Sequence, residues 1–184
     1  MLSRKRNSLL LLCLLLACCQ KIDLTVEPDE TVSADLSEQA SAIIGTGEGT
    51  RQCPYTVTDI RTSELFASDA VWVIGYMVGT APRSMNNAVF NIDAENQSNI
   101  LLSADSLCTN AELCIPIELS SDKWRKSLSL PTNTAHFHKC LLVKAVPSTY
   151  LNRKGLRKVS EGLWMDGFDI SSIAPEEWGS IIIL

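Results

Sequence analysis

The chain has 184 residues, of which 46% are hydrophobic and 20% charged, and its formal net charge is -5. That balance excludes disordered and fibrous classes, and the length suits one folded domain. A net acidic surface repels phosphate backbones and anionic headgroups, so no nucleic-acid partner is expected.

The first element is "LLLLCLLLACCQK", Leu9 to Lys21, an apolar run that stops at two adjacent cysteines. It is too short to span a bilayer, which needs about 20 apolar residues. A basic flank, Arg4-Lys5-Arg6, precedes it and a small residue, Ala17, ends it. Basic flank, apolar core and small residue are the three parts of a secretory signal. "LLAC", Leu15 to Cys18, resembles the bacterial lipobox, in which the cysteine after the cut receives diacylglycerol on its sulfur. Residues 1–17 are therefore read as a lipoprotein signal peptide and Cys18 as the lipidation site; an ordinary secretory cut would instead leave Cys18 and Cys19 as thiols. Each buried acyl methylene contributes about 0.8 kcal/mol, so several chains on one residue hold a protein on a membrane. Processing would take the formal charge from -5 to -8, because no acid lies among the first 17 residues.

Residues 18–52 are expected to form the lipidated N-terminus and an acidic flexible tether. From Lys21 to Gln52 the sequence is rich in Asp, Glu, Ser and Thr, has no aromatic residue and ends in "GTGEG". Such a segment buries too little apolar surface to offset its ordering entropy. As a coil it would reach on the order of 30 Å. "SADLSEQASAII", Ser33 to Ile44, also has Leu36, Ala40 and Ile43 or Ile44 at helical spacing, which leaves a short helix open there.

A folded domain is expected over residues 53–170. After Pro54, Val57, Ile60, Leu65 and Phe66 fall at roughly helical spacing. "AVWVIGYMVG", Ala70 to Gly79, is a strong strand, and glycine inside it marks a place where a sheet bends. Further strands are expected at Asn99 to Asp105, Cys114 to Ser120, Cys140 to Val146 and Gly155 to Glu161, with a short helix over Asp122 to Leu130. Five strands with a helix between the third and fourth is the order of the OB-fold, a small Greek-key barrel. The fold class is thus mainly β: an OB-fold-like five-stranded barrel with one or two short helices.

The pieces "VWVIGYMVG", "NAVF", "SNILLSADS", "CIPIEL", "CLLVKA" and "YLNRKGLRKV", in that order from about Tyr55 to Glu161, resemble the OB-fold-like lipoprotein domain of Bacteroidota, the domain of unknown function DUF6359. The resemblance implies that fold and an envelope compartment, and it implies no catalytic residues. It departs from the family around the fourth strand, where this chain carries His138 and Ala145 in place of glycine.

The chain contains no G-x-S-x-G, H-E-x-x-H, phosphate-binding glycine loop or paired C-x-x-C, so no catalytic residue and no cofactor is expected. The sharpest local pattern is "HFHKC". In an extended segment His136, His138 and Cys140 would share one face, and imidazole with thiolate is a zinc-type ligand set. Against that stands a plain strand entry with a packed cysteine.

Cys53, Cys108, Cys114 and Cys140 form an even set that an oxidising compartment can pair. Cys108 and Cys114 flank "TNAEL" and are the preferred disulfide; four buried thiols are the alternative. "STYLNRKGLRK", Ser148 to Lys158, places Tyr150 beside Arg153, Lys154, Arg157 and Lys158, a candidate ligand-binding turn on an acidic protein. The simpler reading is a solvated hairpin.

Residues 171–184 form a C-terminal extension ending in three isoleucines and Leu184, expected to pack on the barrel or to be donated to a partner. Together these readings give an outer membrane lipoprotein of the cell envelope, on either face, carrying a non-catalytic binding or interaction module. Its expected partners are the membrane, through the lipid anchor, and a polysaccharide or another envelope protein. The alternatives are a metal-dependent hydrolase using His136, His138 and Cys140, and a structural or adhesin subunit.

Overall fold

The computed structural model describes residues 46–64 and 69–165. Its chain order is β1 (Tyr55–Thr56), α1 (Val57–Thr62), β2 (Val71–Gly79), β3 (Asn99–Ser103), β4 (Cys114–Glu118), α2 (Asp122–Leu128), β5 (Cys140–Tyr150) and β6 (Arg153–Trp164), with 3-10 turns between them. The protein is mainly β: the described residues form six strands in one sheet and a few short helices. Cys18, Cys19 and the C-terminal extension lie outside the described residues.

Local chemistry fixes each element. Thr56 caps α1 through a reciprocal pair: its side chain accepts from the Asp59 amide at 3.1 Å, and its own amide donates to Asp59 Oδ2 at 2.8 Å. That pair satisfies two amides the helix leaves open. Val57 and Ile60 then face inward, as the spacing requires. Ser121 caps α2 by accepting from the Trp124 amide, and Pro131 follows soon after the helix, inside the 3-10 turn Leu130–Thr132. Two residues carry no periodicity, so β1 is invisible in the sequence; it pairs in parallel with Val73 and Ile74 of β2.

Besides β1, strand β2 pairs with two further strands. Val71 to Tyr76 pair with β5, and Tyr76 to Gly79 pair with β3, so the strand changes neighbours at Tyr76. A register shift falls between Met77 and Gly79. At Gly79 a Cβ would lie 2.2 Å from the Val89 carbonyl oxygen, so only glycine fits the close pass of the following loop. The order β1-β2-β3-β4-β6-β5, with β5 also on β2, makes the pairing from β2 return to β2. The return depends on one parallel contact, Ile117 of β4 against Leu156 of β6.

Alternation along these strands sends side chains to two apolar layers. Val73, Met77, Ile100, Leu102, Ile115, Ile117, Leu141, Val143 and Leu156 form the inner one. Trp72, Ile74, Tyr76, Val78, Leu101 and Leu142 form the other, covered in part by Ala81 and Met85 of the loop after β2. That loop is held by a buried amide: Asn99 Oδ1 accepts from the Ala81 amide at 2.8 Å and Asn99 Nδ2 donates to the Ala81 carbonyl at 2.9 Å. The side chain thereby replaces the hydrogen bonds that water would make.

Strands β5 and β6 run longer than the expected Cys140 to Val146 and Gly155 to Glu161. Leu151 and Asn152, with φ of 51° and 59°, make a two-residue turn of the type that matches strand twist. The ladder therefore continues out to Tyr150 opposite Arg153. A register shift between Lys144 and Val146, with Lys158 at φ 54°, bends this long hairpin.

The first described residues already lie on the domain. The Gly47 amide donates to Asp59 Oδ2 at 2.9 Å, and the Trp72 amide donates to the Gly49 carbonyl at 2.9 Å. Gly49 has φ of 77°, which glycine adopts without strain.

Candidate functional site

The hairpin tip, the C-terminal end of α1 and the start of β4 meet around an open cleft of about 310 Å³. Arg61 and Thr62 come from α1, Glu112 and Cys114 from the turn into β4, and Asn152, Arg153 and Lys154 from the hairpin. Three cations thus face one carboxylate.

The cations differ in how they are held. Arg153 reaches Glu112 with both terminal nitrogens, Nη1 donating to Oε2 at 2.7 Å. Lys154 Nζ donates to the Ser63 carbonyl at 2.6 Å, just past the last turn of α1. Arg61 is half-buried beside Cys114 and has no hydrogen-bonded or ion-paired partner among the described residues. It is the cation most available to a ligand.

Of the other residues singled out at the tip, Arg157 forks onto Glu118 at 2.8 and 3.0 Å. That carboxylate, through its hydrogen bonds and its charge, pushes the guanidinium pKa further up. Arg157 also lies 5.9 Å from the Tyr150 ring centroid. Lys158 is exposed at the bend and does not line the cleft. The five residues read as one basic turn therefore divide: Arg153 and Lys154 line the cleft, while Tyr150, Arg157 and Lys158 do not. Arg61, Glu112 and Asn152 line it as well, beside Thr62 and Cys114, and sequence reading missed the first three. Two of the three sit more than 40 residues from Arg153, and no local pattern joins them to it.

The "HFHKC" pattern depends on an extended segment, and here the premise is corrected. His136 ends a 3-10 turn, Thr134–His136, and β5 starts only at Cys140. His138 has φ of 63°, the region that favours glycine, and its amide donates to the Met77 carbonyl at 2.8 Å. Its Nδ1 meets the Ser106 carbonyl oxygen. The His136 ring instead stacks on Trp164, with centroids 4.2 Å apart and planes at 12°. Cys140, the first residue of β5, is buried opposite Tyr76 of β2, and that burial pushes its thiol pKa far up. Among the described residues no group of three or more His, Cys, Asp or Glu is placed to hold a metal ion.

Cys108 and Cys114 do meet: their sulfurs lie 3.9 Å apart, both as thiols. Burial, followed by the neighbouring Cys108, pushes the Cys114 thiol pKa up, and Arg61 pulls weakly the other way. A second depression of about 390 Å³ lies between α2 and β6, lined in part by Trp124, Ser127 and Glu161. The Lys123 ammonium sits 4.3 Å over the Trp124 ring and occupies its stacking face. No helix among the described residues is long and apolar enough to cross a membrane.

The family model described as domain of unknown function DUF6359 matches residues 55–165, more than half of the chain. The chain belongs to the DUF6359 family. No curated protein and no solved structure matches it. The DUF6359 match runs from the first residue of β1 to the residue after β6, so every residue lining the cleft lies within the family domain.

Proposed function

We propose that this DUF6359 protein is a lipid-anchored cell-envelope protein whose domain is an OB-like barrel acting as a non-catalytic binding module for an acidic polysaccharide. The observation that carries the reading is the cleft, where Arg61, Arg153 and Lys154 face a single carboxylate, Glu112, on a chain of net charge -5. An opposite-sign pocket on an acidic surface selects anions against the field of the rest of the protein. Its volume lies at the lower end of the roughly 300–1,000 Å³ typical of ligand pockets.

The fold reading rests on strand order. Counting from β2, the pairings run first-second-third-fifth-fourth and back to the first, with α2 between the third and fourth, which is the Greek-key order of an OB barrel. OB modules bind along the second and third strands and at the loop between the fourth and fifth. That loop is the Leu151-Asn152 turn beside the cleft. Anchorage rests on the basic flank, short apolar run and "LLAC" that end at Cys18.

The binding step is an exchange of carboxylates. Arg153 and Glu112 are 42% and 62% exposed, and exposed pairs contribute only about 0–1 kcal/mol. A uronate carboxylate can therefore replace Glu112 on Arg153 at small cost while also engaging Arg61. Arginine forks hold carboxylates with two parallel bonds, which gives orientation as well as charge. A polymer repeats its carboxylates, so several weak engagements add along it.

The experiment is a glycan array read with the purified chain and with Arg61→Ala/Lys154→Ala. Acidic glycans should bind, neutral ones should not, and the double variant should lose the signal. Equal binding of neutral and acidic glycans would refute the reading. Anchorage is tested separately by intact mass spectrometry from the native membrane: acyl groups on Cys18, absent in Cys18→Ala, are expected.

A further inference from the structure

We infer that Cys108 and Cys114 are a covalent modification site: they form an intramolecular disulfide by exchange with an external disulfide, and the bridge ties down the turn that carries Glu112 at the cleft edge. The two sulfurs are 3.9 Å apart, so closing to a bond length of about 2.05 Å requires only a small movement of the turn between them. Both sulfurs also lie close to one carbonyl oxygen, that of Asn110, at 3.5 and 3.4 Å. The turn Ala111–Leu113 is thus folded around the thiol pair, with the Asn110 side chain capping it through the Glu112 amide at 3.0 Å. Cys114 follows the turn directly, Cys108 precedes its cap Asn110 by two residues, and Glu112 lies within it.

The chemistry balances with one co-reactant. The thiolate of one cysteine attacks a sulfur of the external disulfide, forms a mixed disulfide and releases one thiol. The second cysteine then attacks the protein sulfur of that mixed disulfide, forms the Cys108–Cys114 bond and releases the second thiol. The two protein thiol protons end on the two released thiols, and the external disulfide is the species reduced. Both thiols are buried, and Cys114 borders the cleft with Arg61 beside it, so the cleft is the side from which an external reagent approaches the pair. Burial disfavours the thiolate of Cys114, which makes the exchange slow and removes a stabilisation that would favour the reduced pair.

The site is independent of the glycan reading, since every readout below is made without ligand. The sequence offers a clean assay: cleavage after Arg83 and Lys123 releases Ser84 to Lys123 as one peptide holding Cys108 and Cys114 and no other cysteine. The full chain is equilibrated with excess oxidised glutathione, alkylated under denaturing conditions, digested and weighed. The expected peptide is lighter by two hydrogens and takes up alkylating reagent only after reduction. Amide exchange across the Ala111–Leu113 turn should slow several-fold in the bridged protein. Reduction should lower the melting temperature by on the order of 10 °C, as for loss of a short closed loop.

Uptake of two alkyl groups without reduction would overturn the inference. So would recovery of this peptide cross-linked to one containing Cys53 or Cys140, or thiol protection that a chelator removes. A bridge that forms while turn exchange and melting temperature stay unchanged would overturn the claim that it ties down the turn. Cys108→Ser supplies the reference chain, in which the light peptide cannot arise.

Discussion

The two ends of β5 looked alike in the sequence, since each carries a compact group of polar, chemistry-bearing residues, and the fold treats them in opposite ways. At the entry, "HFHKC" is drawn into tight turns and packing: His136 stacks on Trp164, His138 is pinned between Met77 and Ser106, and Cys140 is buried. At the exit, "YLNRKGLRK" is held out on a hairpin whose arginines meet carboxylates of β4 and of the turn before it at the solvent boundary. Alternation along a strand predicts a shared face only where the strand exists. The entry residues precede it, whereas the exit residues stand on a ladder that runs past its expected end.

If the entry is structural and the exit is for binding, substitutions at the two ends should separate stability from ligand affinity. The largest stability loss is expected from Leu141→Ala, one residue into β5, where the side chain is fully buried in the inner layer. Urea unfolding should show a loss of about 2–5 kcal/mol.

The next effect is on pH. Burial raises the Cys140 thiol pKa in the folded state, whereas the unfolded thiol titrates near about 8.5. Folding stability from this group is therefore complete below about pH 8.5 and falls as pH rises above it, by roughly 1.4 kcal/mol per unit. Cys140→Ala should lessen the alkaline slope in a series of urea titrations, leaving the part that the buried Cys114 thiol contributes; an unchanged slope would remove Cys140 from the account. His136→Ala should cost on the order of 1 kcal/mol through lost stacking on Trp164, measured by thermal unfolding. The smallest effect belongs to the exit: Glu112→Gln should change stability by less than about 1 kcal/mol, because the ion pair it breaks is exposed. A loss as large as that of Leu141→Ala would erase the distinction between the two ends.

The strands that β-branched and aromatic runs mark in the sequence are present, and β2, β3, β4 and β5 begin at or within one residue of where those runs predict. The short helix after β4 also begins at Asp122, because Ser121 is a strong cap. What was not legible has physical causes. A two-residue parallel strand has no period to read. The extra length of the β5–β6 hairpin depends on Leu151 and Asn152 taking left-handed conformations, and Leu-Asn is not a pair that announces such a turn. The cleft was half legible: Arg153 and Lys154 stood out as charge, but Arg153 finds Glu112 and Arg157 finds Glu118 across 41 and 39 residues. Only the strand order brings β4 beside the hairpin, and a single sequence does not carry those pairings.

The measurement that tests the central claim most directly is calorimetric titration of the full chain with an oligogalacturonate, at two salt concentrations, alongside Arg61→Ala/Lys154→Ala. The account predicts saturable binding that weakens as salt rises and falls at least about tenfold in the double variant, the equivalent of roughly 1.4 kcal/mol. Undiminished binding by the double variant, or no binding by the wild-type chain, would contradict it.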